Sequence, residues 1–205
     1  MKRGRKIGGL LAAMGLATGL TVLGTGTAHA DPVPPAAPGW AELYMPRIHA
    51  QGITLCVDNP NDADGTHALQ LWRCHGYASN GGPQRWEFIP VGTAGANHTI
   101  YRIVNVDSGL CIGQPNPSFS GVTLLQESCF ATSGIYPGTS VDWILEPIDA
   151  TNPTSDFQLE NVNSSTPWEG NGFCMAANTF SDTNGTRLIL APCSYYDTSQ
   201  YFNLG

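Results

Sequence analysis

Six cysteines fall into three pairs of nearly equal spacing, and this pattern constrains the chain more than any other feature. Cys56 and Cys74 are 18 residues apart, Cys111 and Cys129 are 18 apart, and Cys174 and Cys193 are 19 apart. Six cysteines allow 15 connectivities in principle. Three short gaps separated by longer ones favour one bridge inside each of three repeats. Each closed loop restricts the unfolded chain by roughly 3 kcal/mol in the chain-entropy model. Zinc is the competing use of cysteine, but the sequence contains no C-x-x-C pair. An even count leaves no thiol for an interchain link.

The segments around the cysteines repeat as well. Strand-like stretches precede each first cysteine: Pro46-Arg47-Ile48-His49, Tyr101-Arg102-Ile103-Val104 and Phe157-Gln158-Leu159-Glu160. Others precede each second cysteine: Ala68 to Trp72, Val122 to Leu125 and Arg187 to Leu190. After each second cysteine an aromatic opens a short apolar run, at Trp86, Trp143 and Phe202. These runs are short, rich in branched and aromatic residues, and bounded by Gly, Pro, Asn and Asp, as strands are. With 24 glycines and 15 prolines the chain favours turns over helices. The expected class is all-β, built from three copies of one unit over about residues 44–92, 98–149 and 155–205.

The N-terminus has a separate meaning. Lys2, Arg3, Arg5 and Lys6 precede an apolar stretch from Ile7 to Leu23 and then Ala28-His29-Ala30. A basic start, an apolar middle and an A-x-A site identify residues 1–30 as a secretory signal peptide. Residues 31–43 begin with a Pro-rich run and are expected to form a poorly ordered tail. Residues 31–205 keep five arginines, no lysine and all 16 acidic residues, a formal charge of −11. That balance excludes a basic footprint for nucleic acid or anionic lipid. No second apolar run reaches the ~20 residues of a membrane span. Six cysteines suit an oxidising, extracellular compartment.

The stretches Cys56-Val57-Asp58, Leu69-Gln70-Leu71-Trp72-Arg73-Cys74-His75-Gly76 and Gln84-Arg85-Trp86 resemble the ricin-type β-trefoil lectins. They are especially similar to the carbohydrate-binding modules of that type in secreted actinobacterial proteins. The resemblance spans about residues 44–205. Its Gln-x-Trp hallmark is intact at Gln84-Arg85-Trp86, lacks its Gln in Val141-Asp142-Trp143, and persists as Gln200-Tyr201-Phe202. It implies a β-trefoil fold, an intra-repeat disulfide in each copy and a non-catalytic, sugar-binding role without a cofactor.

The resemblance also implies site residues. A sugar has a C–H-rich face and a fringe of hydroxyls, so a stacking ring beside fixed polar groups can hold it. In the first repeat Asp58 is the expected acceptor, Trp72 the platform, Gln70 a polar neighbour and Gln84 the support. The family's Asn before the Gln is Pro83 here, and Asn80 is the expected stand-in. In the second repeat Gly113 and Glu127 occupy the acid and aromatic positions, and in the third Ala176 and Ala191 do. Neither pair makes the family's clamp, so one site for a galactose- or xylose-type glycan is expected.

Other chemistry is weaker. There is no G-x-S-x-G elbow or H-E-x-x-H motif. Asp62-Ala63-Asp64-Gly65 reads as a solvated turn, because the EF-hand frame would put Pro60 first and Leu71 twelfth. Neither a metal nor catalysis is expected from Glu127, Asp142 and Glu146. The alternative function is a β-trefoil scaffold in a secreted complex or toxin with decayed sugar sites, with Trp168 as a partner hook.

Overall fold

The computed structural model describes residues 39–49, 52–60, 66–75, 82–95, 98–115, 119–130, 139–149, 151–152, 156–163, 172–179 and 183–205. The expected signal peptide, the Pro-rich run before Gly39, Asn80 and Trp168 lie outside these residues.

Among the described residues thirteen strands follow one another. In the first repeat these are β1 (Trp40–Tyr44), β2 (Leu55–Asp58), β3 (His67–Ala68), β4 (Gln70–Arg73) and β5 (Arg85–Ala94). The second has β6 (His98–Asn105), β7 (Cys111–Gly113), β8 (Leu125–Glu127) and β9 (Asp142–Pro147). The third has β10 (Phe157–Asn161), β11 (Phe173–Ala177), β12 (Thr186–Pro192) and β13 (Asn203–Leu204). A 3-10 turn precedes each repeat's last strand, at Gly82–Gln84, Thr139–Val141 and Thr198–Gln200.

Six segments close a barrel. β1 pairs β5, β5 pairs β6, β6 pairs β9 and β9 pairs β10. Phe157 then bridges Phe202, and β13 returns to β1 through Leu43 and Leu204. The hairpins β2–β4, β7–β8 and β11–β12 cap one end. They join around a ring of backbone hydrogen bonds: Leu69 N donates to Leu124 O (2.9 Å), Leu124 N to Leu188 O (2.9 Å), and Leu188 N to Leu69 O (3.1 Å). All three leucines are fully buried. This is a β-trefoil, and its hairpin cap is threefold in hydrogen bonding as well as in shape.

The core repeats the same way. Leu43, Ile103 and Leu159 sit at equivalent barrel positions, all at 0% exposure, as do Trp86, Trp143 and Phe202. Trp86 Nε1 donates to Val57 O (2.9 Å) and Trp143 Nε1 to Ile112 O (2.8 Å), tying each barrel strand to its own hairpin. Phe202 fills the third position without that bond. The expected bridges Cys56–Cys74, Cys111–Cys129 and Cys174–Cys193 are formed, with Cα–Cα distances of 5.0, 5.0 and 4.9 Å.

Two details differ from the sequence reading. Residues 40–43, read as the end of the tail, form β1, which closes the barrel with Ala41 and Leu43 buried. The first repeat's opening strand is therefore β1, and Pro46–His49 is a single helical turn rather than a strand. Proline suits the first position of such a turn, where its missing N–H costs nothing.

Trp143→Phe, which keeps a ring but leaves Ile112 O without its donor, should cost about 1–3 kcal/mol in urea unfolding. Truncation of Trp86, Trp143 or Phe202 to Ala should cost about 3–5 kcal/mol each. Stability equal to wild type in all three Ala variants would contradict the equivalence of the three positions.

Candidate functional site

The first-repeat residues converge as strand geometry requires. β2 and β4 are antiparallel, with Asp58 opposite Gln70 and Cys56 opposite Trp72. Side chains alternate along a strand, so Asp58, Gln70 and Trp72 share one face while Val57 and Leu71 enter the core. Asp58 is 5% exposed and Trp72 is 38% exposed. A ring that large is left at the surface beside a nearly buried carboxylate.

Two amides hold that carboxylate. Gln70 Nε2 donates to Asp58 Oδ2 (2.8 Å) and Gln84 Nε2 to Asp58 Oδ1 (3.1 Å). Gln84 also clamps the backbone on either side of Cys74: its Oε1 accepts from His75 N (2.8 Å), and its Nε2 donates to Arg73 O (3.1 Å). Gln200 repeats this clamp around Cys193, accepting from Ser194 N (2.9 Å) and donating to Pro192 O (2.8 Å). The Gln thus fixes the strand end that carries the aromatic, and in the first repeat it also orients the acid. Pro83, at the family's Asn position, gives its carbonyl to Asn59 N (3.0 Å) and Asn105 Nδ2 (3.1 Å), inside the fold.

The other two hairpins keep the register and change the chemistry. Gly113 lies opposite Leu125, and Cys111 opposite Glu127. A Cβ on residue 113 would overlap the Glu127 carboxylate. Glu127 therefore folds back over Gly113 and occupies the space that an acid on β7 would take. Ser140 hydrogen-bonds this carboxylate, yet burial outweighs that bond and pushes its pKa above the ordinary range. Sequence reasoning missed this filling, although a glycine diagonal to a long acid across a hairpin was its signal. In the third hairpin Ala176 faces Ile189 and Cys174 faces Ala191. Here the face is hollow and lined by methyl groups.

Carboxylates weighed for catalysis are engaged separately. Asp142 accepts from Arg102 Nε (2.9 Å), and burial still raises its pKa against that bond. Glu146 lies 3.2 Å from His98 Nδ1. Glu42 approaches both sulfurs of the Cys56–Cys74 bridge, but disulfide sulfurs cannot act as thiolate ligands. Among the described residues no helix is long and apolar enough to cross a membrane.

Comparison with known proteins agrees with this fold. A family model described as ricin-type beta-trefoil lectin domain-like matches residues 82–191. No curated protein matches the sequence. The designed threefold-symmetric protein ThreeFoil superposes with a TM-score of 0.60 at 20% identity, covering 81% of this chain and 97% of its own. The Rhizoctonia solani agglutinin gives 0.55 at 17% identity, covering 84% and 98%. A chain of the cytolethal distending toxin from Actinobacillus actinomycetemcomitans gives 0.55 at 16%, covering 83% and 94%. At these identities the likeness concerns the fold.

Glu127 supplies a pH test. Its raised pKa means that the folded state keeps the proton longer than the unfolded chain as pH rises. Between the ordinary value near 4.5 and the raised one, folding stability therefore falls with increasing pH. Glu127→Gln removes this loss. In urea unfolding from about pH 4 to about pH 7, the variant should gain stability relative to wild type. A pH-independent difference would show that the carboxylate is not held in the hairpin.

Proposed function

Because the chain belongs to the ricin-type β-trefoil lectin-like family, we propose that it is a secreted, non-catalytic carbohydrate-binding protein with its sugar site in the first repeat. The observation that carries this reading is the exposed Trp72 ring on the same strand face as the amide-held Asp58. The ring offers a flat apolar surface to the C–H face of a pyranose. The carboxylate accepts from the hydroxyls at the edge of that face, and an ionised acceptor makes the stronger hydrogen bond. Gln70 and Gln84 hold the acceptor in one orientation before ligand arrives, which lowers the ordering cost of binding.

The glycan is of the galactose or xylose type, with Asn80 as a further contact. Secretion rests on the pattern of residues 1–30, and the three disulfides suit an oxidising compartment. The second repeat is filled by Glu127, and the third has neither acid nor ring at the equivalent positions, so each chain has one such site. One shallow site is weak: millimolar affinity corresponds to only about −4 kcal/mol. Tight retention on a polysaccharide would need several chains or a second module.

Calorimetric titration with lactose and with xylobiose tests the reading. Trp72→Ala should reduce binding below detection while the variant still unfolds cooperatively in urea. Asp58→Asn should lose about 1.5–3 kcal/mol of binding free energy. Undiminished binding by Trp72→Ala would place the sugar elsewhere. Failure of wild type to bind any glycan on a broad array, with capture of a defined secreted protein, would favour the scaffold function.

A further inference from the structure

The hollow face of the third hairpin is a cleft of about 200 Å³. Ala176, Ala177, Ile189 and Ala191 supply apolar lining, and Asn178, Thr179, Asp197 and Ser199 supply polar lining. It occupies the place that Asp58, Gln70 and Trp72 hold in the first repeat, because the strand register is the same. Its chemistry differs. Among the described residues no aromatic ring lines it, and alanine stands where the first repeat has its strand-borne acid, so those residues offer a pyranose neither a platform nor the clamp beside it.

Two of the polar lining residues, Asp197 and Ser199, hold each other in place. Asp197 caps the 3-10 turn Thr198–Gln200: its Oδ1 accepts from Ser199 N (3.0 Å) and Ser199 Oγ (2.7 Å). Its Oδ2 has a long approach of 3.4 Å from Gln200 Nε2. Arg47 reaches the same turn through Thr198 Oγ1 (2.7 Å) but does not line the cleft. Tyr196, next to Asp197, is 97% exposed and adds an aromatic surface beside it.

An apolar cleft with a carboxylate in its wall selects a group that joins a methylene stem to a cation. We propose that this cleft docks a lysine side chain from a basic segment of a partner protein, with the stem against Ala176, Ile189 and Ala191 and the ammonium on Asp197. A compact ammonium suits a carboxylate that already spends one oxygen on the turn, whereas a guanidinium is best matched by both oxygens of a carboxylate. The whole chain complements such a partner. It carries a formal charge of −7, and −11 over residues 31–205, where it has no lysine of its own. Long-range attraction would draw a basic segment toward it.

The inference is independent of the sugar site, and one labelled sample separates the two. The ¹⁵N-labelled protein is titrated with the blocked peptide Ac-Gly-Lys-Gly-NH2, with its Nε-acetyl-lysine counterpart, and with lactose. The lysine peptide should shift the amides of Ala176, Ala191 and Ser199 saturably, and added salt should weaken it. The acetylated peptide should bind at least about tenfold more weakly, having lost the charge-assisted hydrogen bond. Asp197→Asn, which preserves an N-cap side chain, should weaken the lysine peptide by a similar factor. Ala191→Leu should block it by filling the cleft. Equal binding of both peptides, or no shift at these amides, would overturn the proposal. So would lactose shifting the same three amides, which would make the cleft a sugar site. Lactose shifts at β2 and β4 alone would leave it standing.

Discussion

Backbone groups that no single repeat can satisfy hold this fold together. Leu69, Leu124 and Leu188 pass one hydrogen bond each around a closed ring, and every donor finds its acceptor in a different repeat. A buried N–H without a partner costs about 1–3 kcal/mol. One hairpin alone would therefore leave its leucine's donor and acceptor facing an apolar interior. Three hairpins close the ring with nothing left over. Below it, Trp86, Trp143 and Phe202 fill the barrel at equivalent depth.

That closure has a functional consequence. The ring and the hydrogen bonds from Trp86 and Trp143 fix the register of the hairpins without using the outward-facing side chains of β2, β4, β7, β8, β11 and β12. Those positions differ among the three repeats. One face carries Asp58, Gln70 and Trp72, another is covered by Glu127 lying over Gly113, and the third is an alanine-lined cleft. Gln84 and Gln200 make the same backbone clamp, although only Gln84 reaches an acid carried on a strand of its own hairpin. The scaffold is thus maintained where the sugar chemistry is absent, as expected if the Gln serves the fold first.

Much of this was legible in the sequence. The cysteine spacing gave the threefold division, and the phased aromatics marked the core because a fully buried ring must recur wherever the barrel repeats. The opening strand was harder to read. WAELY at Trp40–Tyr44 follows a Pro-rich run and lies 12 residues before Cys56, whereas in the second repeat β6 ends six residues before Cys111. Ile48 lay at the expected distance, and proline's fixed φ at Pro46 turned that segment into a helical turn instead. The first-repeat face was legible because strand pairing alone brings Asp58, Gln70 and Trp72 together. The other two faces were not. Whether Glu127 points away or folds back depends on the missing Cβ of Gly113, and a cleft exists only as volume that two alanines fail to fill.

The central claim is that three hairpins of one register present three different chemistries, and that among the described residues only the first carries both an acid and an exposed ring on its strands. The most direct measurement is a residue-resolved map of sugar binding by chemical-shift perturbation on the whole chain. The account predicts saturable shifts at residues 56–58, 70–75 and 82–84, with residues 111–113, 125–127, 174–176 and 189–191 unmoved by the same titration. Shifts of equal size in all three hairpins, or shifts confined to the second or third, would contradict it.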